Sequence, residues 1–244
     1  MRVFACFDDT DTLDSERGTG KLVRWFTDSV ADRYPCWGVV RQQLLVHPDV
    51  PYTSHNSSAC AVFEAPAEAV EELAEEAALH VARHFIEGSD PGVCVVAESD
   101  PALPALIAFG RRAAVEVVAQ ADAFSAAEYA HLTAHGGTGD GVIGAAAGVG
   151  LTAWGWSGRF IEFGTLRDWP QTSRVGDLEA AGMMLLPVDR NVEMPAPDDL
   201  LDTQAWLRPR LWGGRACVPI VRDGDGRWVA VTKHVSVKAP AAGV

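Results

Sequence analysis

Residues 2–7 form a compact apolar run, Arg-Val-Phe-Ala-Cys-Phe, that ends abruptly in Asp8-Asp9-Thr10-Asp11-Thr12. A run this short and apolar reads as a buried strand, so its carboxyl end must deliver three carboxylates within four residues. Carboxylates this close repel one another, and burying them without a cation is costly. Magnesium relieves that repulsion and is bound through one or two carboxylates together with substrate phosphates. Asp8, Asp9 and Asp11 are therefore the candidate metal ligands. The alternative is an acidic turn that caps the following helix, with Asp and Thr in their usual N-cap roles. The strand-end position favours the metal, because ligands of α/β proteins gather at the carboxyl ends of strands.

A second feature follows at Gly18-Thr19-Gly20-Lys21, at the start of the next predicted helix. Free amides and the helix dipole at such a terminus suit an anion. The segment is not a P-loop, since Ser15 and Leu22 stand where that motif needs a glycine and a Ser or Thr. Gly18 and Gly20 are candidate phosphate contacts, Lys21 a candidate cation; a plain glycine turn is the alternative. A third feature is the run Gly136-Gly137-Thr138-Gly139-Asp140-Gly141-Val142-Ile143-Gly144, leading into an alanine-rich stretch that ends at Gly150. Each glycine inside a helix costs about 1 kcal/mol against alanine, so this density needs a reason, and close approach of the backbone to a phosphate supplies one. A merely flexible loop is the other reading. Gly139, Gly141 and Gly144 also fit the dinucleotide fingerprint formally, with Glu162 as a ribose partner, but residues 126–135 read as helix where that motif needs a strand.

Other residues carry less. His80/His84 and His131/His135 are spaced four apart on predicted helices without the metalloprotease glutamate pattern, and read as surface or helix-end histidines. Trp154, Trp156, Trp206, Trp212 and Trp228 read as core or pocket walls. The five cysteines are never spaced Cys-x-x-Cys and read as small core residues. With 20 basic against 33 acidic residues, net charge −13, general nucleic-acid binding is disfavoured, although a local basic patch remains compatible. No uninterrupted apolar stretch reaches the roughly 18 residues of a membrane span, and the N-terminal run is too short for a secretory signal, so the expected location is cytoplasmic.

Periodicity divides the chain further. Strands are predicted over 37–46, 58–63, 92–97 and 154–163, and helices over 21–33, 66–85, 104–119 and 125–134. The turn Asp223-Gly224-Asp225-Gly226 between 216–221 and 227–233 is a hairpin signal, and 239–244 reads as a frayed tail.

The order Asp8-Asp9-Thr10-Asp11, Val50-Pro51-Tyr52-Thr53 with Asn56, Asp90-Pro91-Gly92, and Gly139-Asp140-Gly141-Val142-Ile143-Gly144-Ala145 resembles the archaeal agmatidine synthetases of isoleucine tRNA. The resemblance covers about residues 1–165. It implies a kinase-like region that binds ATP and magnesium, with Asp8, Asp9 and Asp11 as metal-binding acids. Gly139, Asp140, Gly141, Ile143 and Gly144 match the phosphate-side loop, Asn56 belongs to the same nucleotide site, and Thr19 is nearest to a threonine that takes up phosphate. Ser54 and His55 stand where the family has basic residues, and the family's C-terminal nucleic-acid-binding module and zinc ribbon have no counterpart in this sequence.

The expectation is a mixed α+β or α/β protein. Residues 1–168 form a two-layer ATP-binding domain with a ferredoxin-like insertion around 64–103, and 169–244 form a small hairpin-containing segment. Its function is ATP- and magnesium-dependent phosphoryl transfer to an acceptor, a small molecule, with Asp9, Thr19 and Lys21 as the catalytic set. The alternatives are a tRNA-modifying enzyme working with a separate RNA-binding partner, or a non-catalytic nucleotide sensor; a homo-oligomer fits either.

Overall fold

The computed structural model describes residues 1–52, 55–189 and 193–232, and divides into two compact units. The first unit comprises Met1–Gly164 with Leu211–Gly214, and the second Thr165–Arg210 with the chain from Arg215 onward.

The first unit runs β1 (Arg2–Asp8), α1 (Thr19–Val30), β2 (Cys36–Gln43), β3 (Ser57–Glu64), α2 (Ala69–His84), β4 (Gly92–Ala97), α3 (Leu103–Ala113), α4 (Gln120–Ala126), β5 (His131–Ala134), α5 (Gly141–Trp154) and β6 (Arg159–Glu162). Its strands lie in the order β5-β4-β1-β3-β2-β6, and each neighbouring pair is antiparallel. The first four strands and two helices make a β-α-β-β-α-β unit of the ferredoxin-like kind. The stretch 64–103 supplies its second half, α2 and β4, while its first half is the segment that carries the acidic loop.

The period-2 alternation of β1 decides which helices cover which face. Val3, Ala5 and Phe7 point into a core with Leu22, Val23 and Phe26 of α1 and Leu73, Ala77 and Val81 of α2. Phe4 and Cys6 point the other way, toward Leu106 and Phe109 of α3 and Val142, Ala145 and Val149 of α5. Helices thus cover both faces of the sheet. Helix α5 is buried nearly all round, as expected of a helix apolar on every side. Its glycines permit this. A Cβ on Gly148 would fall 2.3 Å from Cys6 Sγ, and one on Gly150 would fall 1.9 Å from the Leu106 carbonyl oxygen.

The second unit contains β7 (Thr172–Arg174), α6 (Val175–Ala180), β8 (Met183–Pro187), β9 (Leu200–Asp202), β11 (Arg215–Arg222) and β12 (Trp228–Ala230); β10 (Arg210–Trp212) falls at the division. The expected hairpin is present as β11 (Arg215–Arg222) against β12 (Trp228–Ala230), antiparallel, with the Asp223 side chain accepting bonds from the amides of Asp225 and Arg227. Strand β8 pairs parallel with β11, and β9 parallel with β12. Lys233 and the predicted tail 239–244 lie outside the described residues.

Three sequence expectations are corrected. The helix predicted over 125–134 is a strand at its end: α4 stops at Ala126, and His131–Ala134 pair with the free edge of β4, from Gly92↔Ala134 to Val95↔His131. The open hydrogen-bonding edge of β4 outweighs local propensity there, and His131 is therefore on a strand. The helix predicted over 104–119 ends at Ala113. The strand predicted over 154–163 begins later, because α5 runs on to Trp154 and is stopped by Gly155 at φ +76°. Among the described residues no helix is long and apolar enough to cross a membrane.

Candidate functional site

The acidic loop leaves the sheet beside the first turns of two helices. Asp9 has φ +48°, in the left-handed region that a non-glycine residue enters only under constraint. The constraint is visible: the Asp9 carbonyl accepts the Asp90 amide at 3.2 Å, and the Thr10 carbonyl accepts the Ile86 amide at 3.1 Å. The loop is thus clamped to the connection between α2 and β4.

Thr19, the first residue of α1, faces the loop. Its amide and its hydroxyl both donate to Asp11 Oδ1 at 2.9 Å, and its Oγ1 accepts bonds from the Thr10 amide at 3.3 Å and the Thr10 hydroxyl at 3.1 Å. Thr10 is wholly buried. One oxygen of Asp11 therefore serves the start of α1, as the capping alternative expects, and orients the Thr19 hydroxyl as it does so.

Helix α5 meets the loop from the other side. A Cβ on Gly144 would lie 1.8 Å from Asp8 Oδ2, and one on Gly141 would lie 2.0 Å from the Asp90 carbonyl oxygen. Both glycines are required by close approach to the protein's own chain, which brings the amino end of α5 against β1 and β4. The turn before α5 is held by Asp90. Its carboxylate accepts the amides of Thr138 (2.9 Å), Gly139 (2.7 Å) and Asp140 (3.1 Å) and the Thr138 hydroxyl. Gly139 stands at φ +87°, and its Cβ would meet the Gln120 side chain at 3.3 Å. Gln120 in turn donates to the Thr138 carbonyl and to Asp140.

The electrostatics follow from this convergence. Burial, with Asp9 and Asp11 close by, pushes the Asp8 carboxyl up to about 8. Burial, with Asp90, Asp11 and Asp140 close by, pushes Asp9 up to about 6. Burial also raises Asp90, but the bonds from Thr138, Gly139 and Asp140 outweigh it and hold Asp90 below the ordinary carboxylate range. Hydrogen bonds thus favour the charged form of Asp90, while burial and like charge favour the neutral forms of its neighbours Asp8 and Asp9.

The structure brings together Asp8, Asp9, Asp11, Thr19, Gly139, Asp140, Gly141 and Gly144. Ile143 lies in the same first turn of α5, half-buried against the α3–α5 core. Gly18 precedes α1 with open space beyond it, the nearest atom to its Cβ being Asp11 Oδ2 at 3.9 Å. A Cβ on Gly20 would fall 2.8 Å from Ile161 Cδ1, and the Lys21 ammonium lies 5.2 Å from the Trp25 ring centroid. Asn56 sits just before β3, at the same end of the sheet, with its side-chain amide donating to the Leu45 carbonyl. Thr53 and Ser54 lie outside the described residues. Sequence reasoning treated Asp90 only as part of a turn and missed it as the anchor of the glycine loop. Its signal was an acid directly before Pro-Gly at the start of a strand.

Oxygen ligands of this kind suit a hard cation such as magnesium. Among the described residues no group of three or more His, Cys, Asp or Glu is already arranged to hold a metal ion. A magnesium ion carried on phosphates does not need such a cage, because waters and phosphate oxygens complete its shell.

The chain is similar in structure to TiaS, an agmatidine synthetase of isoleucine tRNA, in its complex with that tRNA and ATP: 26% identity, TM-score 0.53, 62% of this chain and 36% of that one. It is also similar to a tRNA fluorescent labeling enzyme, with 28% identity, TM-score 0.50, 62% of this chain and 36% of the other. The chain spans about a third of the length of each. No protein-family model and no curated protein matches it. The resemblance carried by the motifs is thereby matched by the fold.

Proposed function

We propose that this chain is an ATP- and magnesium-dependent enzyme with phosphoryl-transfer chemistry, related to the agmatidine synthetases. One observation carries the reading. The amino ends of α1 and α5, which favour anions, meet at a knot of carboxylates in which burial and like charge raise Asp8 and Asp9. A magnesium-bound triphosphate satisfies both demands at once. Asp8 and Asp9 would hold the metal, which supplies charge neutralisation on the phosphates. The Asp90-anchored turn Gly139–Asp140 and the first turn of α5 would receive the phosphate chain.

Thr19 would accept or position the transferred group. Its hydroxyl already donates to Asp11 Oδ1, so the proton has a destination as the Oγ1–P bond forms and the bond to the β-phosphate oxygen breaks. Lys21 lies two residues further along α1 and would add a cation at the rim. The acceptor in this reading is a small molecule, in keeping with the net charge of −13.

The decisive experiment is ATP turnover by the purified chain and by Asp9→Asn. Turnover lost in the variant, with the fold intact, is the expected result; equal turnover in both would remove the metal assignment. A second reading is favoured by the likeness to a tRNA-bound structure: modification of tRNA together with a separate RNA-binding partner. Retention of tRNA by the chain alone or with such a partner, weakening as salt rises, would select it over a small-molecule acceptor.

A further inference from the structure

A groove of about 680 Å³ lies on the outer face of the first unit, away from the sheet, between α1 and α2. Trp25, Ser29 and Arg33 line it from the α1 side, and Glu76, His80, Arg83 and His84 from α2. In a chain of net charge −13 its electrostatics are unusual. The Lys21 ammonium stands 5.2 Å and the Arg17 guanidinium 5.6 Å from the Trp25 ring centroid, and His84 meets the same ring edge-on at 5.9 Å. The acids at the groove are already engaged, since Arg33 bridges Glu72 and Glu76, and Tyr34 donates to Glu72.

The remaining cations are not. Arg83 and Lys21 make no ion pair or hydrogen bond among the described residues, and Arg17 Nη1 is buried without a hydrogen-bond partner. Burial lowers the His80 imidazole, and His84, Arg17 and Arg83 add to that push; only its bond to the Leu22 carbonyl, 3.0 Å from Nε2, opposes them. Positive charge thus faces His80 from its own helix and from the segment before α1. Trp25 itself is 39% exposed, a large indole left partly in solvent beside these cations.

We propose that this groove binds a planar aromatic phosphate, the ring packed on Trp25 and the phosphate met by Arg83 and His84. A phosphate monoester carries between one and two negative charges near neutral pH, which suits the pair Arg83 and His84 better than a single carboxylate does. Aromatic stacking beside cations is the same pairing that single nucleotides exploit on protein surfaces. The proposal does not rest on the magnesium–ATP reading, because none of Trp25, Arg83 and His84 belongs to the carboxylate loop.

The test is calorimetric titration of the full chain with 4-methylumbelliferyl phosphate, beside 4-methylumbelliferone and inorganic phosphate. The expected result is binding of the aromatic phosphate at least tenfold tighter than either fragment, weakened at least tenfold by Arg83→Gln and by Trp25→Ala. Should Trp25→Ala fail to fold, Arg83→Gln decides alone. Asp9→Asn should leave the affinity unchanged, which separates this site from the carboxylate loop. Equal affinity for inorganic phosphate, lost affinity in Asp9→Asn, or full affinity in Arg83→Gln would each overturn it.

Discussion

Gly144 stands so close to Asp8 that a Cβ at residue 144 would fall 1.8 Å from Asp8 Oδ2. The position of a helix and the position of a candidate ligand are therefore one geometric fact: α5 approaches β1 only as far as the carboxylate allows.

Replacement of Gly144 by alanine sets two effects against each other. Overpacking costs about 1–3 kcal/mol, while the helix gains roughly 1 kcal/mol from alanine. The Asp8 side chain can rotate away, so Gly144→Ala should lose little stability and much of its ATP turnover. Gly150→Ala meets the Leu106 carbonyl at 1.9 Å, backbone that cannot rotate away, and should lose about 3 kcal/mol. Urea denaturation and ATP turnover of the two variants check this; full turnover in Gly144→Ala would count against Asp8 as a ligand.

The raised aspartates give a pH dependence of definite sign. Asp8 stays protonated in the fold up to about 8 and Asp9 up to about 6, whereas both ionise near 3.9 when unfolded. Between these limits the native state binds more protons, so their contribution to stability falls as pH rises from about 4 to about 8. In chelator, the difference in melting temperature between pH 5.5 and pH 8.5 should favour pH 5.5, and Asp8→Asn should shrink that difference. Magnesium should stabilise the protein at pH 8.5 far more than at pH 5.5. An equal magnesium effect at both pH values would show that these carboxylates do not receive the ion.

Asp90 organises the glycine turn with a charged acceptor, and hydrogen bonds to a charged group contribute about 1.5–3 kcal/mol when well formed, less where solvent reaches them. Asp90→Ala should destabilise the fold by about 1–2 kcal/mol and raise hydrogen exchange at the amides of Thr138, Gly139 and Asp140. Protection retained at those amides would mean that the turn holds without its anchor.

Thr19 offers a chemical discrimination. Thr19→Ser keeps the hydroxyl that donates to Asp11, and Thr19→Ala removes it. Incubation with γ-labelled ATP should label the wild type and Thr19→Ser but not Thr19→Ala. Label retained in Thr19→Ala would place any phosphoryl acceptance elsewhere.

Much of this was legible because it is local. The apolar run 2–7 and the run 92–97 emerge as β1 and β4 with nearly those bounds, and the Asp-Gly-Asp-Gly turn emerges as a hairpin, since burial on both faces and turn chemistry are written in neighbouring residues. The acidic loop was legible for the same reason: three acids after a buried strand must lie at its end.

What the sequence could not state was who approaches whom. Residues 131–134 are a strand only because β4 has an open edge for them. The glycines at 141 and 144 read as a phosphate cradle, yet in the fold they admit Gly92 and Asp8, which come from strands far away in the chain. Asp90 became an anchor only when three amides from residues 138–140 were turned toward it. The sequence by itself determined the strand, the acids and the turn, because short-range sterics and burial settle them. The tertiary structure alone decided that carboxylates from β1 and from the β4 approach share a site with two helix amino ends, because only packing brings charges that are distant in sequence close enough to shift one another.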